Sequence, residues 1–190
     1  MNDVVTSVAL PDPDGKQPDF AAIVERIRSC VENISREFDR WDDPHAHGPG
    51  LYFVIENDAA TGFTEPMGTN RWPVDDCASV FASPDALFEA AEAVAYACDG
   101  AVVVHPDATI QEEMVRITQL SPTDREQLDK LPYAGWMGTR HMSALETSTR
   151  AEILAAITLS EEDGRLTIFV DGAFEDYPRD TFRDERPACE

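Results

Sequence analysis

The stretch AAITLSEEDGRLTIFVDG, residues 155–172, decides the fold. AAITLS at 155–160 and RLTIFVDG at 165–172 read as strands, rich in β-branched and apolar residues. EEDG joins them, and its Asp163-Gly164 pair is a strong hairpin signal. One antiparallel pair is therefore in hand. The remaining question is what else belongs to its sheet.

Upstream, Ser143 to Arg150 reads as a helix with Ala144 and Leu145 turned inward. A helical turn fits residues 122–131, before Pro132. VRITQL at 115–120 alternates like a strand, and AVVV at 101–104 reads as a buried one. Ser83-Pro84 opens a helix, with serine as N-cap and proline at the first helical position. Leu87, Phe88, Ala91, Val94 and Ala95 make its apolar face. The segment 57–82 is irregular and turn-rich, with room for short hidden strands. LYFVI at 51–55 is another buried strand, and DDPHAHGPG at 42–50 is a loop.

Asp19 caps a further helix, on which Phe20, Ile23, Val24, Ile27, Val31, Ile34, Phe38 and Trp41 form one stripe. A spacing of about 3.5 residues fits a short coiled-coil seam. Packing of the stripe onto the rest of the domain is the preferred reading. Residues 1–18 read as a proline-rich arm, 19–175 as a single domain, and 176–190 as an acidic tail lying along the surface or disordered. Strands mixed with helices predict an α/β fold: a mixed central β-sheet flanked by helices, with an N-terminal amphipathic helix.

Fifteen basic residues stand against 37 acidic ones, a formal charge of −22. Such a surface repels nucleic acid and anionic membranes, so neither is an expected partner. Lys16 and Lys130 are the only lysines. This acidic, lysine-poor composition resembles that of halophilic archaea, whose proteins work where salt screens self-repulsion. No apolar run reaches the roughly 18 residues of a membrane span, and the N-terminus lacks signal-peptide features. A cytoplasmic location is the expectation. The four cysteines form no C-x-x-C pair, which argues against a zinc site or a disulfide framework. His45 and His47 in a Pro/Gly loop read as solvated rather than metal-binding.

Three short segments place polar groups beside apolar elements. Asp99-Gly100-Ala101 enters a buried strand, and a residue without Cβ there lets a ligand approach the backbone closely. Gly138-Thr139-Arg140-His141 offers backbone N–H groups, a hydroxyl and a guanidinium at a helix start, the parts of an anion site. Ser160-Glu161-Glu162 closes a strand. Alone, the first and third read as a capped turn and as solvated hairpin residues. Alone, the second is evenly balanced between anion site and capped helix. Together, carboxylates for a divalent cation and a clamp for phosphates are the minimum equipment for attack at a nucleotide phosphorus. The chain has neither a P-loop nor a G-x-G-x-x-G fingerprint.

DGA at 99–101, GTRH-x-[ST]-A at 138–144 and a strand ending in SE at 160–161 resemble the motifs of the diadenylate cyclase (DAC domain) family, in order, over roughly residues 80–175. The resemblance implies a transferase that condenses two ATP into cyclic di-AMP and two pyrophosphates. It implies that Asp99 lies by the reactive 3′-hydroxyl and the metal, with Gly100 and Ala101 lining the nucleotide. Gly138, Thr139, Arg140 and His141 match the phosphate-holding motif. Ser143 and Ser160 match nucleotide contacts. Glu161, or Glu162 one register on, matches a ligand to Mn²⁺ or Mg²⁺. Because each 3′-hydroxyl attacks the other molecule's α-phosphorus, two protomers must meet face to face, so self-association is implied. The implied form is a free-standing soluble cyclase. One position departs: the family reads Arg-His-Arg, and this chain reads Arg140-His141-Met142. A nucleotide-binding module with weak or no turnover is the alternative.

Overall fold

Asp19 opens the first helix as its sequence predicts. Its carboxylate accepts from the Ala21 N–H at 3.2 Å, and α1 runs Phe20–Glu37. The computed structural model describes residues 18–57, 62–120 and 130–185. The expected arm at 1–18 and helical turn at 122–131 lie outside these residues apart from their last positions. Among the described residues two more α-helices follow, α2 (Pro84–Ala97) and α3 (Thr139–Thr147). The strands are β1 (Leu51–Glu56), β2 (Thr64–Arg71), β3 (Val102–Val104), β4 (Glu113–Ile117), β5 (Ile153–Leu159), β6 (Leu166–Val170) and β7 (Ala173–Tyr177).

The main sheet has the order β3-β1-β5-β6-β7. Only β1 and β3 run parallel, with Phe53 opposite Val102. The other neighbours are antiparallel, so the sheet is mixed as expected. The predicted hairpin is there: Ser160 N–H donates to Arg165 O at 2.9 Å, and Gly164 takes the left-handed φ of 72° that the turn requires. Leu51 lies opposite Leu159. One end of the sheet therefore gathers the start of β3, the start of β1 and the finish of β5.

Both faces of β1 are covered, which explains its unbroken apolar run. Leu51, Phe53 and Ile55 join α1 and α2 in one core. Tyr52 and Val54 face the other way, into a core with Ala144 and Leu145 of α3 and Val115 of β4. Ile23, Ile27, Val31 and Ile34 of α1 are buried in the first core, so the stripe packs on its own domain. Phe38 and Trp41 lie past the helix end, ring to ring at 4.7 Å.

Three elements differ from expectation. Helix α3 starts at Thr139 rather than Ser143, capped by the Gly138 backbone with no side-chain bond. That puts Thr139, Arg140 and His141 in its first turn. Strand β4 is shifted towards the N-terminus and pairs with β2 in a separate two-stranded ribbon. The expected tail at 176–190 begins inside a strand. Phe174–Tyr177 belong to β7, and a 3-10 helix, Arg179–Glu185, follows. Phe182 is buried there, and its carbonyl accepts from Arg36 Nε of α1 at 3.2 Å. The apolar side chain holds an otherwise acidic segment onto the core.

Candidate active site

A cavity of about 860 Å³ opens at the sheet end where β3, β1 and β5 meet, and every site residue singled out in the sequence lines it. Topology is the reason. Asp99, Gly100 and Ala101 lead from α2 into β3; Ser160, Glu161 and Glu162 leave β5; the first turn of α3 lies across the same edge.

Asp99 presents an exposed carboxylate, and its carbonyl accepts from Asn70 Nδ2 at 2.7 Å. Gly100 has φ 107°, and a Cβ there would stand 3.0 Å from Val115 O. No other residue fits that wall without strain. Ala101 is buried and exchanges backbone hydrogen bonds with Val115 at 2.7 and 2.9 Å.

The head of α3 supplies Gly138, Thr139, Arg140, His141 and Ser143. Both terminal nitrogens of Arg140 lie 3.4 Å from Glu161 Oε2. Arg140 is thus aimed at the neighbouring carboxylate. His141 is buried, set edge-on to Trp136 with centroids 5.1 Å apart. Its Nε2 has no hydrogen-bond partner among the described residues. Burial pushes the imidazole below its ordinary pKa of 6.5, so His141 is neutral at pH 7. Arg140 is therefore the fixed cation of the pair, and His141 a neutral donor or acceptor.

In the β5–β6 turn, Ser160 Oγ accepts from Glu162 N–H at 3.3 Å. Burial alone would raise the Asp163 carboxyl, but hydrogen bonds from Ser160 and Arg165 outweigh it and hold it below the ordinary range. Arg165 stacks over Trp136 at 4.5 Å and is engaged by Asp163 and Asp176. Two other arginines line the cavity. Arg116 pairs with Glu65, and Arg150 lies 4.2 Å over the Phe63 ring while donating to Thr118 O. Met142 also stands on the wall, 38% exposed.

Tyr52 is a wall residue that the sequence did not reveal. Its hydroxyl donates to Thr147 Oγ1 at 3.0 Å and is bonded to Ser143, and burial pushes its pKa up to about 12. Nothing in LYFVI separates a tyrosine that lines a cavity from one that fills a core.

Among the described residues, no three His, Cys, Asp or Glu side chains lie close enough to cage a metal. A hard divalent ion bound with a nucleotide needs no cage: one or two carboxylates suffice when phosphates complete the shell. Asp99, Glu161 and Glu162 all line the cavity and supply oxygen ligands of that kind.

One solved structure agrees with the fold. A structure described as a hypothetical membrane spanning protein from Bacillus cereus aligns with TM-score 0.53 and 20% identity, over 80% of this chain and 62% of that one. The chain thus spans about three fifths of that relative. A double mutant of DacA from Staphylococcus aureus aligns with TM-score 0.49 and 17% identity, over 85% of this chain and 91% of that one. No curated protein matches the chain in sequence. The model of one family does match, across residues 73–174, which take in α2, the cavity motifs and the β5–β6 hairpin. The chain belongs to that family, DAC, the DisA bacterial checkpoint controller nucleotide-binding family.

Proposed function

We propose that the chain is a diadenylate cyclase, converting two ATP into cyclic di-AMP and two pyrophosphates. One observation carries the reading: a single cavity brings Asp99, Arg140 and Glu161 together from three separate elements. Their chemistries are those that nucleotidyl transfer needs, with carboxylates where a metal-bound nucleotide would sit and a guanidinium for its phosphates.

Arg140 and the N–H groups at the head of α3 bind the polyphosphate, and the helix dipole adds to the attraction. His141, neutral and buried, offers a hydrogen bond to the same group. Asp99 faces the 3′-hydroxyl, and Gly100 and Ala101 form a flat wall for the nucleotide. Thr139, Ser143 and Ser160 supply hydroxyls around it. Mn²⁺ or Mg²⁺, held by Asp99 with Glu161 or Glu162, would lower the pKa of the 3′-hydroxyl and neutralise charge on the α-phosphate. Each 3′-hydroxyl attacks the other nucleotide's α-phosphorus as pyrophosphate departs, so two protomers face each other with one ATP each. The charge missing at Met142 has two candidate replacements in the same cavity, Arg116 and Arg150.

Incubation of the protein with ATP and Mn²⁺ or Mg²⁺, followed by mass spectrometry, is expected to yield cyclic di-AMP. Asp99→Asn is expected to abolish the product while leaving the melting temperature unchanged. No product with either metal, up to molar salt, would instead leave a non-catalytic nucleotide-binding module, the reading that Met142 favours.

A further inference from the structure

The segment between α1 and β1 lies outside the family-matched residues 73–174. It nevertheless reaches the phosphate clamp. Gly48 N–H donates to Glu161 O at 3.0 Å. Two residues on, Gly50 is buried, and its N–H donates to Ala95 O of α2 at 3.0 Å. A Cβ built on Gly50 would stand 2.5 Å from Arg140 Nη1, 3.1 Å from Arg140 Cζ and 3.0 Å from Glu161 Oε2. Its φ lies outside the left-handed region, so backbone conformation does not demand glycine there. What demands it is the guanidinium lying against the backbone.

We propose that Gly50 is a positioning residue of the active site: its missing side chain is the slot that fixes the Arg140 guanidinium beside Glu161. The hydrogen bond to Ala95 ties the slot to the helix that leads into Asp99. The backbone at position 50 therefore cannot easily retreat. Anything larger than hydrogen moves the flexible side chains instead. The inference rests on the proposal that Arg140 holds nucleotide phosphates.

The test is Gly50→Ala. The added methyl meets only the ends of two flexible side chains, so the melting temperature is expected to stay at the wild-type value. Calorimetric binding of ATP with Mg²⁺ is expected to weaken about tenfold or more, and kcat to fall further than KM rises, since small misplacements of a clamp cost up to about 100-fold. A double-mutant cycle supplies the deciding readout. In an Arg140→Ala background, Gly50→Ala is expected to change binding less than about twofold, because a mutation acting through a removed partner has nothing left to act on. Equal losses in both backgrounds, unchanged binding in Gly50→Ala, or loss of the fold in both backgrounds would overturn the inference. If wild type itself fails to bind ATP, the nucleotide reading falls and takes this one with it. If wild type binds and Gly50→Ala binds as well, this one falls alone.

Discussion

At the residue scale, the pair Arg140-His141 looks in sequence like two adjacent cations. The structure separates them. Arg140 lies half-buried against Glu161, while His141 turns inward to Trp136, where burial lowers its pKa. This has a pH signature. Burial places the folded pKa of His141 below 6.5, so the unfolded chain takes up that proton first as pH falls. Its contribution to stability is whole above pH 6.5 and is lost as pH falls from there through the lower folded pKa. His141→Gln removes the titration. Urea melts of wild type and variant are expected to show wild type losing stability relative to the variant between pH 7 and pH 5. Parallel pH curves for the two proteins would contradict a buried neutral imidazole. The place of Asp99, Arg140 and Glu161 on one cavity was legible because each sits in a short motif with a glycine or hydroxyl beside it. Tyr52 and Gly50 were not. Their roles lie in contacts with Thr147 and Arg140, about 90 positions away along the chain.

At the element scale, the helices with side-chain caps were the best read. Ser83 Oγ accepts from Ala86 N–H at 3.1 Å, as a serine before a helix should. The start of α3 was missed because Gly138 caps through its backbone alone. Strand β2 fell in the segment with room for short strands but could not be placed, because Glu65, Pro66 and Gly68 give no alternating pattern and only the ladder to β4 makes it a strand. Strand β7 is announced by a turn signal in the sequence, Asp171-Gly172. Asp171 and Gly172 both have positive φ, 50° and 72°, and form a two-residue hairpin turn between paired Val170 and Ala173. Gly172→Ala is expected to destabilise the fold by about 1–2 kcal/mol, the cost of forcing an L side chain into the left-handed region. The new methyl would also crowd Leu131 and Thr149, at 2.9 and 3.0 Å. Urea unfolding measures the loss. The effect contrasts with Gly50→Ala, which is expected to change binding and spare stability.

At the scale of the whole molecule, the charge of −22 sets the conditions for folding. Self-repulsion favours the expanded chain, and salt screens it, with a Debye length of about 3 Å at 1 M. The urea midpoint is therefore expected to rise steadily from dilute buffer to molar potassium chloride. A midpoint independent of salt would contradict the high-salt reading of the composition. Among the described residues no helix is long and apolar enough to cross a membrane. The sequence by itself determined what is local: helix stripes, caps, the Asp163-Gly164 turn, buried strand runs and three short polar motifs. These follow from neighbours within a few residues, where periodicity and turn chemistry act. Tertiary structure alone decided which strands pair, and so that the start of β3, the start of β1 and the finish of β5 share one sheet edge. It also decided that His141 is neutral and that position 50 has no room for a side chain beside Arg140. Burial and close approach depend on residues far apart in sequence, and no local pattern carries them.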